Sequence, residues 1–275
     1  MAAGEKLSPV QALDVSADME LLFSTWSSVE RYLGRSKGVV IPLGSIEQHG
    51  PGGLIGTDAL CAEAIARRIG AAGDILVGPT IPFGVAPFNL AFPGTISMRA
   101  STLMALVDDY LHSLMRHGFE RFYFLNGHGG NLGALRAACQ DLQASRSYAT
   151  SAESGTARFK FRSWWDYPTV DALRRDLYGD GEGMHATPSE IAITQFLYPE
   201  RIQPLPLAPP AKLSAAFLRD HAGDNHAGAE EHRRAFPDGR VGSDSGLARP
   251  EHGERLLAAA VQDGLEDYRA FLIEP

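Results

Sequence analysis

Glu47 and His49 stand two residues apart in the run Gly44-Ser-Ile-Glu-Gln-His-Gly. In an extended segment, residues at i and i+2 project to the same side, so this carboxylate and imidazole face one point, as a chelating pair must. Asp58 follows at the start of the next helical pattern. His128 sits in the run Asn126-Gly-His-Gly-Gly-Asn131, where the glycines let the backbone turn tightly and expose the imidazole. His185 and Glu190 come from Gly183-Met-His-Ala-Thr-Pro-Ser-Glu190. Carboxylates and imidazoles suit Zn, Mn or Fe(II) rather than soft metals. Two such ions a few ångströms apart can bind a hydroxide and polarise an amide carbonyl.

Each of these residues also has an ordinary reading when taken alone. Asp58, beside Thr57, fits helix capping, and Glu-x-His fits a solvated turn. The Gly-rich run could be only a turn whose histidine is exposed. It is no dinucleotide fingerprint, because the glycine spacing is wrong, and no Lys-Ser/Thr follows to make a phosphate loop. Thr187 and Pro188 read as an N-cap and first helical position, which puts Glu190 in the first turn, where an acid favours the helix dipole. The remaining histidines carry less. His112 and His117 lie on a long helix, His221, His226, His232 and His252 have polar surroundings, and HAGDNHAGAEEH reads as a solvated loop. Cys61 and Cys139 fall among alanines in helical patterns, as small buried hydrophobes do. Any metal site must therefore use nitrogen and oxygen.

The elements that must position these residues alternate. The first 35 or so residues read as an opening helix with Met19, Leu21, Leu22, Trp26 and Val29 on one face. Lys37 to Leu43 is an apolar run suited to a buried strand and leads into the turn-rich stretch that ends at Asp58. A helix is expected from Asp58 to Ile69, stopped by Gly70, and a second strand from Ile75 to Ile81. Ser101 is expected to cap a long helix ended by Gly118. A third strand, Phe119 to Leu125, runs straight into the His128 turn. A helix from about Leu132 to Leu142, a strand from Ala157 to Trp164 and an amphipathic helix from about Arg249 complete the order. Alternation of this kind implies an α/β fold, a mainly parallel sheet with helices on both faces. Ligands of such sheets bind at the carboxyl ends of the strands, where the turns after Leu43 and Leu125 both lie. Pro204 to Pro210 could be a linker, but too little chain follows it for a separate domain, so residues 1–275 read as one domain.

Composition excludes other classes. The net charge of −8 comes with acids and bases mixed throughout and no basic stripe, which argues against nucleic acid. Apolar residues make up 44% of the chain, enough for a sizeable core. No apolar stretch approaches the ~20 residues of a membrane helix, and no secretory leader is recognisable, so a cytoplasmic location is expected.

Together the motifs resemble the creatininase-like amidohydrolase family. Its first motif, roughly L-G-S-x-E-Q-H-G-P-H-L-P-L-x-T-D, stands here as Leu43 to Pro51, then Gly-Gly-Leu-Ile-Gly, then Thr57-Asp58, in register. Its F-P-G-T is Phe92 to Thr95, its N-G-H-G-G-N is whole, its H-A-G-x-x-E is His185 to Glu190, and a G-x-G-D-like tail is Arg240 to Asp244. The resemblance implies a creatininase-type α/β sandwich, two divalent ions (Zn, Mn or Fe) and hydrolysis of a non-peptide C–N bond in a small amide, cyclic amide or formamide. It assigns Glu47 and His128 to one metal, His49 and Glu190 to the other, Asp58 as the bridge and His185 as the proton-handling residue. A formylaminopyrimidine deformylase, a small-peptide peptidase or a non-catalytic ligand-binding relative are the alternatives. A homo-oligomer, hexameric by resemblance, is also implied, though the C-terminal helix could instead pack on its own core. Departures fall at Gly52, Gly53, Asn89 and Ile191-Ala192, which are expected to line the pocket. Creatininases proper carry N-G-H-Y-E-N, so Gly129 and Gly130 replace a tyrosine and a ligand glutamate.

Overall fold

The computed structural model describes residues 19–148, 157–203, 205–221, 226 and 228–274. Its sheet has three parallel strands in the order β1 (Gly38–Leu43), β2 (Arg121–Asn126), β3 (Arg158–Ser163). The helices are α1 (Trp26–Leu33), α2 (Thr57–Gly73), α3 (Ala100–Arg116), α4 (Asn131–Tyr148), α5 (Pro168–Tyr178), α6 (Pro188–Leu197), α7 (Ala215–Asp220), α8 (Ala229–Ala235) and α9 (Pro250–Ile273).

Strand periodicity sorts the core into two layers. Val40, Tyr123 and Leu125 point to one face, where they pack with Ile65 and Ile69 of α2 and Leu256, Leu257 and Ala260 of α9. Their neighbours Val39, Ile41, Leu43, Phe122 and Phe124 point to the other, against Leu103, Val107 and Leu111 of α3 and Leu135 and Leu142 of α4. Strands of a parallel sheet covered on both faces tend toward continuous apolar runs, and all six residues of β1 are buried, whereas β3, with Arg158, Lys160 and Arg162, is only partly so. The expected α/β architecture with helices on both faces is therefore the observed one. α9 packs on α2, α5 and α6, so its apolar stripe serves the chain's own core. Among the described residues, no helix is long and apolar enough to cross a membrane.

Several boundaries differ from expectation, each for a local reason. Ile75 to Ile81 forms no strand. Only Val77 and Ile81 make parallel bridges to Val40 and Leu43, because Pro79, which has no N–H, interrupts the ladder between them. α2 runs through Gly70 and ends at Asp74, which takes the left-handed conformation (φ 54°). The N-cap of α3 is Arg99, with no side-chain cap, so Ser101 lies inside the helix. The opening helix is a short 3-10 turn, Leu21–Phe23, followed by α1, and residues 1–18 lie outside the described chain. Leu22, Phe23 and Trp26 are exposed rather than on a buried face. Pro204 also lies outside the described residues.

The register has one functional consequence. Leu43, Asn126 and Ser163 are aligned across the carboxyl ends of the three strands. The segments that leave them are the Glu47 loop, the His128 turn and the Trp164–Asp166 turn.

Candidate metal centre

All six sequence-derived residues converge, and all are buried. The donor atoms form overlapping groups of three: Glu47, Asp58 and His128; His49, Asp58 and Glu190; and Glu47, His49 and His185. Asp58 is shared by the first two groups, and its oxygens divide between them. Oδ1 lies 2.9 Å from His49 Nε2, and Oδ2 lies 3.4 Å from His128 Nδ1. Glu47 Oε1 is 3.4 Å from the same His128 nitrogen, and Glu190 Oε2 is 3.8 Å from His49 Nε2.

The backbone brings these donors together by close approach. A Cβ at Gly127 would overlap the Asp58 carbonyl, so only glycine lets the β2 turn rest on the first turn of α2. Gly130 is similarly confined, since a Cβ there would meet the Val85 carbonyl and the His128 ring. This conformation therefore has no room for the acidic side chain that creatininases proper carry at that position. Asn126 and Asn131 clamp the turn. Asn126 donates to the His128 carbonyl (2.7 Å) and accepts from its N–H (3.2 Å), while Asn131 donates to the Gly44 carbonyl (2.9 Å) and accepts from Val85 N–H (3.0 Å).

Each imidazole is held by its remote nitrogen. His49 Nδ1 is 3.0 Å from the Glu47 carbonyl, and His128 Nε2 is 3.0 Å from the Val85 carbonyl. A carbonyl only accepts, so those nitrogens carry protons and direct His49 Nε2 and His128 Nδ1 at the carboxylates, the arrangement of a metal-ligating histidine. Ser45 donates to Glu47 Oε2 (3.0 Å), leaving Oε1 on the donor side. Phe92 to Thr95 brace the loop, with Ile96 N–H bonded to the Ile46 carbonyl and Gln48 N–H to Thr95 Oγ1.

Glu190 lies where both readings of its position can hold at once. Oε1 accepts the Thr187 N–H (2.5 Å) and completes a capping box, while Oε2 joins the His49 and Asp58 group. His185 precedes Ala186, whose φ of 58° turns the chain sharply between the two. The Arg240 to Asp244 run pairs with this segment, Met184 N–H bonding to Val241 O (2.9 Å) and Val241 N–H to His185 O (3.2 Å). His185 Nε2 is 2.7 Å from the Gln48 carbonyl, and its Nδ1 is 3.3 Å from Glu47 Oε1.

Electrostatics follow from three buried carboxylates packed together. Burial disfavours the charged form of His49, but Asp58 and Glu190 outweigh it and lift His49 to about 10. Burial likewise works against the charge of Asp58, yet the His49 imidazolium holds its carboxyl well below the usual range. Glu190 is pushed up to about 7 by burial and the nearby Asp58 charge, which His49 only partly offsets. Protons thus stand where cations fit. Asp58 Oδ2, buried and making no hydrogen bond, is the observation that best fits a cation ligand. The residues present suit one or two divalent ions of the Zn or Mn kind.

The cavity in front of the centre, about 350 Å³, is lined by Asp58, His128, His185 and Glu190, and also by Trp164, Trp165 and Arg174. The last three carried no motif signal beyond their place after the third strand. The departures from the family pattern do not line this cavity, contrary to expectation. Gly52 and Ile191 border a separate cavity of about 190 Å³, and Gly53 borders an open cleft behind His49. Asn89 is fully buried, accepts from Gln48 Nε2 (2.8 Å) and places its amide nitrogen 3.3 Å from His185 Nε2. His221, His226 and His232 do not form a solvated loop as expected. His232 is buried, and all three rings lie against Phe88, Phe217 or Phe236. The intervening residues 222–225 and 227 lie outside the described chain. Cys61 and Cys139 are buried, as expected, and burial raises both thiols, Cys139 to about 12.

Known proteins bear on this arrangement. A mycofactocin precursor peptide peptidase of Mycobacterium ulcerans is 36% identical over 143 residues, 49% of this chain and 53% of its own length. The matched stretch thus spans about half of that relative. Creatinine amidohydrolase of Pseudomonas putida is 28% identical over 65% of this chain and 71% of its own. Among solved structures, a mutant creatininase of Zn-Zn type superposes with a TM-score of 0.79 at 24% identity, covering 93% of this chain and 99% of its own. A manganese creatininase superposes at 0.75, with 23% identity over the same shares. The family model for creatininase, creatinine amidohydrolase, matches residues 23–267, and the chain belongs to that family.

Proposed function

We propose that this protein is a metal-dependent hydrolase of the C–N bond in a small amide, with Glu47 and His128 holding one divalent ion, His49 and Glu190 the other, and Asp58 between them. The observation that carries this reading is the division of Asp58, which belongs to two three-donor groups and turns Oδ1 to His49 and Oδ2 to His128. When bound, such ions supply a nucleophile at neutral pH and polarise the amide carbonyl. The chain supplies the rest. Ser45 and the Glu47 and Val85 carbonyls fix donor orientation, so the site needs little reorganisation on loading. His185 lines the cavity with its Nε2 anchored on the Gln48 carbonyl, and on this reading Nδ1 passes the proton to the departing nitrogen. Trp164, Leu132 and Met184 give part of the cavity an apolar wall.

A cyclic amide or formamide is one substrate class. Short peptides are a second, supported by the peptide peptidases among the relatives. Creatinine is a poor substrate on this reading, because the Tyr and Glu of the creatininase turn are Gly129 and Gly130 here, and turnover stays below about 10 s⁻¹. The test is a panel of lactams, formamides and dipeptides offered to protein reconstituted with Zn or Mn, with elemental analysis alongside. The expected result is about two ions per chain and hydrolysis that chelation abolishes. Less than one ion per chain, or no hydrolysis across the panel, overturns it. The family resemblance further suggests a homo-oligomer, which light scattering at micromolar concentration checks.

A further inference from the structure

Arg174 is the only Arg or Lys among the described residues that line the cavity shared with the metal centre. Its side chain is 17% exposed, and two contacts fix it. Nε donates to Glu182 Oε1 (2.7 Å) and Nη1 to the Trp165 carbonyl (3.2 Å). Nη2 has no protein partner among the described residues. The same Glu182 oxygen accepts from Ser189, in the first turn of the helix that carries Glu190. The guanidinium is therefore tied to the element that supplies a candidate metal donor, and its distance from the centre is set by the fold.

We propose that Arg174 binds the carboxylate of the substrate, so the class turned over is an N-acyl amino acid or a short peptide with a free carboxyl end. This rests on the amide-hydrolase reading. An arginine already immobilised, with donors to spare, loses little entropy in accepting a planar oxyanion. A dianion such as phosphate fits less well, because Asp166 also lines the cavity and Glu182 already sits on the guanidinium. Trp165, Leu132 and Met184 offer the apolar surface that an acyl group or side chain requires.

The experiment compares hippurate with hippuramide, which differ only in the terminal carboxylate, by calorimetric binding to the zinc-loaded protein, with hydrolysis followed in parallel. Hippurate is expected to bind at least about tenfold tighter, and Arg174→Gln to reduce that preference below about threefold with zinc content unchanged. Equal binding by the wild-type protein overturns the proposal. So does a preference that survives in Arg174→Gln, which would put the carboxylate on the metal. Equal weakening of both compounds indicates a purely structural Arg174 and also overturns it. If Arg174→Gln does not fold, Arg174→Lys, which keeps the charge but loses the fork, is expected to cut the preference about threefold or more, and an unchanged preference counts against the proposal. Arginine-dependent binding without hydrolysis of any amide would sink the hydrolase reading and leave the anion site standing.

Discussion

Two groups of three histidines meet at Phe88, and they behave differently. His49, His128 and His185 lie among Glu47, Asp58 and Glu190, while His221, His226 and His232 lie among Phe88, Phe217 and Phe236. Burial does not separate them, since His232 is 2% exposed and His128 is 3% exposed. Partners do. Among the described residues, every group of three donors within 4.8 Å includes a carboxylate, and none includes a histidine of the second set. Carboxylates beside a histidine favour a proton or a cation there, whereas aromatic rings against one add packing area.

The largest effect that could break this contrast comes from Asp58. Asp58→Asn keeps the shape but removes the charge from both donor groups, so metal content is expected to fall well below one ion per chain. Activity should drop by more than about three orders of magnitude. Retention of two ions would mean that the shared carboxylate is not what distinguishes the first histidine set.

Glu190→Gln tests one group at a time. The glutamine oxygen still accepts the Thr187 N–H, so the helix start is kept, while the second oxygen becomes an NH₂ that cannot ligate. One of two ions should be lost and activity should fall about 100-fold. The apparent unfolding temperature of the metal-free protein should move only slightly. If capping is the sole role, metal content stays and stability alone shifts, by about 0.3–1 kcal/mol.

A pH series sharpens the comparison through protons. His49, lifted to about 10 by Asp58 and Glu190 against its burial, stabilises the metal-free fold fully below the ordinary histidine value of 6.5. That contribution is lost as pH rises toward 10. Glu190, raised to about 7, opposes folding as its proton leaves between its ordinary 4.5 and 7. A metal must displace the His49 proton, so zinc affinity should rise between about pH 6 and pH 9 with release of about one proton or more per chain, measurable by titration calorimetry in two buffers. Affinity flat over that range would contradict the proton-for-metal exchange.

The smallest effect is expected in the second histidine set. His232→Phe should leave metal content and activity unchanged, with a stability cost of about 1–3 kcal/mol for fitting a larger ring into a buried site. A loss of metal in that variant would join the two groups that the structure keeps apart.

Much of this contrast was legible in the chain itself. Glu47, His49 and Asp58 lie within a dozen residues, and the glycines around His128 announce a backbone that approaches something closely. The Asp58 and Glu190 positions read as caps, and Glu190 is one, because a carboxylate has two oxygens and sequence gives no way to divide them. The aromatic burial of His232 and the cavity wall at Trp165 and Arg174 arise from contacts between segments far apart in the chain. Pattern within a window carries no trace of such contacts. The strand expected at Ile75 to Ile81 failed more simply, because its apolar residues bracket Pro79.

The donors at Glu47, Asp58, His128 and Glu190 leave three segments that only the completed sheet and α6 bring together. Two parallel crossovers separate the first from the last, and parallel pairing of this kind forms late and slowly. A cation therefore has no partial site to organise early in folding. Metal is expected to act after the barrier is crossed, slowing unfolding while leaving the folding rate nearly unchanged. Loaded protein would then owe its persistence in the cell to how slowly it opens rather than to how quickly it forms.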